Sequence, residues 1–214
     1  MSFNNLSVSR KLGVGFATVV VIVLVMCAMV FASLNAIRTA TDANNVSTST
    51  LAQADAALSS LVEQQNAVRA FVATGDHSFP PRIAKFQDDF AKDADALDAL
   101  SGGGPLKAKV VDLRAEAAKV ASEEAEQMAL RNDPTTLSQA QASLLTKGRL
   151  THSREILKSI TDPEHALLAA RGKAQAAAIQ ASILALGLGG LISAALAVVL
   201  GVVLSKGIAG RCRP

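Results

Sequence analysis

Two stretches of this chain, Leu12 to Ile37 and Ala174 to Ser205, carry no charged residue. Each exceeds the roughly 20 apolar residues that cross a bilayer as a helix. With half the residues hydrophobic and only 18% charged, the balance is apolar for a soluble domain. The sequence therefore predicts two transmembrane helices, over 12–34 and 178–205. They flank a segment 35–173, with a short N-terminal segment 1–11 on one side and a tail 206–214 on the other. An alternative reading makes the first span a cleaved signal peptide, since "VFASLNA" offers small residues to a peptidase. Its apolar run is about twice the usual signal core, which favours an anchored helix.

Charge sets the orientation. Arg38 to Lys173 holds 16 Lys and Arg against all 18 Asp and Glu, a net charge of about −2. The basic excess of the whole chain comes from Arg10, Lys11, Lys206, Arg211 and Arg213, next to the apolar runs. Short basic flanks stay cytoplasmic while a long intervening domain is translocated. Both ends are thus expected inside and the middle outside, and the basic balance is no footprint for nucleic acid. Cys27 falls within the first apolar run and Cys212 in the tail, so no disulfide is expected between them.

The middle segment reads as helix throughout, because Ala, Leu, Glu, Gln and Lys dominate and period-two alternation is missing. Three breaks, "TGDHSFPP", "SGGGP" and "NDP", divide it into four helical stretches. Leu51, Leu58, Leu61, Gln65, Val68 and Val72 mark the first stretch, Ile83, Phe86, Phe90, Leu97 and Leu100 the second, and Leu106, Val110, Leu113, Ala117, Val120 and Met128 the third. A fourth begins near Thr135 and runs into the second apolar stretch. Pro163 predicts a kink or restart within it. The fold class expected is all-α: an antiparallel four-helix bundle flanked by two transmembrane helices. The outer first and fourth helices exceed the inner pair in length. Only two helices per chain remain near the membrane, one of them bearing the polar run "NNVSTSTLAQ", and pairing with a second protomer completes such a stalk.

Catalytic motifs are missing. His77, His152 and His165 lack metal-ligand spacing, and "SGGGP" is followed by no Lys-Ser or Lys-Thr. No enzyme activity, metal or cofactor is expected. Arg69 has the planar fork that captures a carboxylate, with Gln65 and Arg82 near it in sequence as candidate ligand-binding partners. The same Arg69 also fits a solvated helix face. Thr74, Gly75 and Asp76 read as a structural helix cap rather than a binding loop. Glu164 and Arg171, seven apart, share one helix face. In the second span, Ala185, Gly189, Ser193, Ala197, Gly201 and Ser205 form a ladder of small residues every four positions, which predicts close helix packing in lipid.

Three motifs point to a family. "VRAFVATGDHSFPPR" resembles the signature of the class-three CHASE sensor domain, a four-helix extracellular module that fronts bacterial chemoreceptors, histidine kinases and cyclase-type enzymes. "PEHALLAARGKA" resembles that family's closing pattern, carried here by Glu164, Leu167, Leu168 and Arg171. "LSVSRKLGVGFATVVVIV" is similar to the opening of methyl-accepting chemotaxis proteins. The resemblance implies the sensory portion of such a receptor in a bacterial inner membrane. Its sensor domain would be periplasmic, it would bind a small molecule, and it would pair as a homodimer through the outer bundle and the second span. Two departures stand out. Pro163 interrupts a region that is unbroken helix in the family, and "GIAGRCRP" only partly resembles the start of a HAMP linker. The tail is too short for a signalling coiled coil. The expectation is therefore a truncated receptor or stand-alone input module that acts through a partner, including mixed dimers with a full-length receptor. A membrane-anchored scaffold that senses nothing is the alternative from another class.

Overall fold

The computed structural model describes residues 8–144 and 149–209. Arg211, Cys212 and Arg213 of the expected cytoplasmic tail lie outside them. The described chain is all-helical, with five helices and no strand among the described residues: α1 (Val8–Thr74), α2 (Phe79–Leu100), α3 (Pro105–Asn132), α4 (Leu137–Ser143) and α5 (Thr151–Ala209). It divides into two compact units, Met1–Asp42 with Arg171–Pro214, and Ala43–Ala170.

In the unit Ala43–Ala170 the buried faces follow heptad spacing. On α1 the buried positions step through Ser47, Thr50, Ala54, Ala57, Leu61, Gln64, Val68 and Val72, in steps of three or four residues as a seam between packed helices requires. On α3 they step through Val110, Leu113, Ala117, Val120, Glu124 and Gln127. Leu61 from α1, Phe90 and Leu97 from α2, Leu113 from α3 and Leu157 and Ile160 from α5 share one apolar cluster. A second cluster gathers Val68 and Val72, Ile83, and Ala140 of α4.

Local chemistry sets the helix ends. The turn after α2 uses Gly102 and Gly103 at φ +55° and +81°, a region open to glycine at little steric cost. Pro105 then opens α3, where its missing N–H costs nothing. The predicted fourth helix is two. Asp133 ends α3, its Oδ1 accepting from Thr135 N and Thr135 Oγ1, both at 2.8 Å. Asp133–Pro134 therefore forms a turn rather than a helix start, and α5 begins only at Thr151.

Pro163 lies inside α5 without the predicted restart. Proline has no N–H to give to the carbonyl four residues back, here that of Ser159. That carbonyl accepts instead from Lys109 Nζ of α3 at 2.6 Å. A tertiary donor thus replaces the missing helical one, which removes the main reason for the helix to break.

In the other unit, α1 and α5 each have a stretch long and apolar enough to cross a membrane. Val19, Ile22, Met26, Val30, Ser33 and Ile37 are half-buried along α1, as are Ser182, Ala185, Gly189, Ser193 and Leu196 along α5. Ser33 Oγ and Ser182 Oγ are hydrogen-bonded at 3.0 Å. A Cβ on Gly189 would lie 2.9 Å from Met26 Sδ, so the glycine seats the methionine. The small-residue ladder does not stay on this covered face, since steps of four residues drift by about 40° each on a helix of 3.6 residues per turn. Leu196 continues the seam, while Ala197 and Gly201 are exposed.

Candidate functional site

Between the two apolar clusters the seam positions of α1 and α3 turn polar. Gln64 and Glu124 are 2% and 1% exposed, and Gln64 Nε2 donates to Glu124 Oε2 at 2.6 Å. Glu124 Oε1 is buried without a hydrogen-bond partner. Burial pushes the Glu124 carboxyl up from the usual glutamate range, against the opposing pull of the Gln64 hydrogen bond and the nearby Arg149 charge. One turn along α3, buried Gln127 donates from Nε2 to Ser143 Oγ at 2.6 Å, which ties α3 to the end of α4.

Glu124, Gln127 and Ser143 line a cavity of about 50 Å³ together with Gln65, Val68, Arg69, Leu144 and Arg149. Arg69 Nη2 donates to the Leu144 carbonyl at 3.1 Å, which leaves other N–H groups of its fork to point elsewhere. Arg149 Nη1 lies 3.9 Å from Glu123 Oε2, too far for a hydrogen bond, and has no hydrogen-bond partner. Beside the cavity, Glu124 Oε1 and Arg149 Nη1 are thus covered by protein without a hydrogen bond. Such groups cost about 1–3 kcal/mol apiece when left so.

Of the residues proposed from sequence, Gln65 and Arg69 meet at this cavity and Arg82 does not. Arg82 stands on α2 with its guanidinium carbon 5.5 Å from the centre of the Phe79 ring. Glu124, Gln127 and Arg149 escaped sequence reasoning, although the three-and-four stepping of α3 from Val110 to Val120 lands on Glu124 and then Gln127. A charged residue on a seam was the available signal.

The Thr74–Asp76 signature serves the turn between α1 and α2. Thr74 Oγ1 accepts from Asp76 N at 3.2 Å, and Asp76 Oδ1 accepts from Ser78 N at 2.8 Å. The latter bond holds the Asp76 carboxyl below the usual aspartate range. Gly75 has φ +74°, and a Cβ there would lie 2.2 Å from Arg131 Nη2. Gly75→Ala should therefore cost about 1–2 kcal/mol in backbone strain and also displace the arginine. Gly102→Ala carries the strain alone, with nothing within 4 Å of its Cβ, so thermal melts of the two variants should rank Gly75→Ala as the less stable. Glu164 and Arg171 are both half-exposed on α5.

A family comparison matches residues 40–174 to the CHASE3 domain. Comparison with curated proteins and with solved structures gives no match. The matched residues bracket the whole unit Ala43–Ala170, including the polar cavity, and leave the most apolar parts of α1 and α5 on either side. The chain belongs to the CHASE3 domain family, a family of extracellular sensory domains.

Proposed function

We propose that this chain is the input module of a transmembrane sensor of the methyl-accepting chemotaxis type, seated in a bacterial inner membrane with residues 43–170 in the periplasm. In this reading that unit is an antiparallel four-helix bundle, the Glu124 cavity receives the stimulus, and no reaction is catalysed. The observation that carries the reading is a CHASE3 unit with a small polar cavity, whose first and last helices are long and apolar enough to cross a membrane. An occupant drawn against Arg69 and Arg149 alters how α3 and α4 pack on α1. Helix α1 belongs to both units, so a small shift along it is the simplest output. Pairing of two copies belongs to the same proposal, with the exposed Ala197 and Gly201 open to a partner helix.

A ligand that binds only the folded state must raise its melting temperature. The chain has no Trp or Tyr, so melting is followed by circular dichroism on the purified full chain in detergent. Against a panel of small metabolites, at least one compound class should raise the midpoint, and Arg69→Ala should abolish that rise. A panel without effect favours the scaffold reading instead, and a rise that survives Arg69→Ala places the binding outside this cavity.

A further inference from the structure

We propose that Lys109 and Pro163 form a latch and a hinge, so that the position of α3 sets whether α5 runs straight or bends between Ser159 and Pro163. A proline inside a helix deprives the carbonyl four residues back of its N–H and crowds it with the ring, and helices kink at such points. In α5 that carbonyl belongs to Ser159, and it accepts from Lys109 Nζ at 2.6 Å. The donor is therefore on loan from another helix. Packing fixes its register: Val110, next to Lys109, is 1% exposed and shares an apolar cluster with Ile156, Leu157 and Ile160 of α5. A shift of α3 along α5 by an ångström or so is enough to stretch the bond beyond hydrogen-bond range. The hinge also lies where the core ends, since beyond Ile160 no described residue of α5 is buried. Little apolar packing there opposes a bend. Helix α5 then continues through its membrane-length apolar stretch, so a bend at the hinge is passed to the segment that leads into it. As a route for a stimulus the latch rests on the sensor reading, because α3 also brings Glu124 and Gln127 to the polar cavity, about 22 Å from Lys109 along one rod. As a property of α5 it stands apart from that reading.

The test is a double-variant cycle on the full chain in lipid nanodiscs, read by hydrogen exchange. Lys109→Met keeps an unbranched stem and removes the donor. It should speed exchange of the amides in 161–166 roughly fivefold, while amides near Leu113 and Leu157 keep the parent's protection. Pro163→Ala restores an N–H to the Ser159 carbonyl, so in that background Lys109→Met should change the same amides by less than about twofold. Lys109→Arg, which still donates, should stay near the parent. The bend itself is read by spin labels on Ala115→Cys and Ala170→Cys, with Cys27 and Cys212 replaced by serine. A kink of about 20° at Pro163 displaces residue 170 by roughly 3–4 Å. The distance distribution should shift or broaden by about that much in Lys109→Met and return when Pro163→Ala is added. Equal acceleration in both backgrounds makes Lys109 a general support of α5 and overturns the latch. Unchanged exchange and distance in Lys109→Met overturn it as well. Should Lys109→Met lose the core protection too, Pro163→Ala must return it, or the proposal falls. A ligand panel without effect alters none of these measurements, so the sensor reading fails or stands separately.

Discussion

Leu113→Ala is expected to destabilise the CHASE3 unit by about 3 kcal/mol, within the 2–5 kcal/mol typical of emptying a buried leucine site. Leu113 is 0% exposed and belongs to the cluster that draws on α1, α2, α3 and α5 at once, so no one neighbour can relax to fill the space. The melting midpoint should fall by roughly 10 °C. Two positions earlier on the same helix, Val111 is 56% exposed, and Val111→Ala should stay within about 0.5 kcal/mol of the parent. Similar losses at both positions would mean that α3 is rotated from the face described.

Glu124→Gln is expected to act in the opposite direction and to do so only above acidic pH. Burial raises the Glu124 pKa in the folded state above the ordinary 4.5, so the folded form holds its proton more tightly than the unfolded chain. Stability then falls as pH rises from that ordinary value to the raised folded one, and the penalty is complete above it. Gln64, Arg149 and Glu123 act on the same carboxyl, but desolvation outweighs them. Glutamine removes the charge while its side-chain oxygen still accepts from Gln64. The variant should be more stable than the parent by roughly 1–3 kcal/mol at pH 7 to 8, with the gap closing near pH 4. A gap of the same size at both pH values would show that Glu124 does not titrate in the folded chain. Asp76, Asp89 and Asp133 shift the other way, each held down by local hydrogen bonds, so parent and variant share a loss of stability in acid.

Much of the fold was legible because the breaks carry strong local chemistry. "SGGGP" supplies two glycines with positive φ and a proline at a helix start, and no tertiary contact is needed to read it. The seam on α1 was harder. Leucines drew attention to 51 and 58, yet the fully covered positions include Ala54 and Ala57, where small side chains let helices approach without announcing it in a hydrophobicity pattern. Pro163 was misleading for a different reason: its remedy, Lys109, lies on another helix. Arg82 shows the limit of sequence proximity for a site. It lies next to buried Ile83, but one residue is about 100° around a helix, which turns it away from the cavity. Glu124 was passed over because charge on a helix is ordinarily a mark of solvent, and only its place in the three-and-four stepping sets it apart.

The central claim is that residues 43–170 form a sensory unit held outside the membrane by two spanning helices. It is tested most directly by enzymatic reporter fusions that read out the compartment, placed after Asp133 and after Arg213 in the full-length chain. The basic residues that flank the apolar runs should keep both termini inside. The Asp133 fusion should therefore report the periplasm and the Arg213 fusion the cytoplasm. Both fusions reporting the same compartment would contradict the two-span arrangement, and with it the route from the Glu124 cavity into the cell.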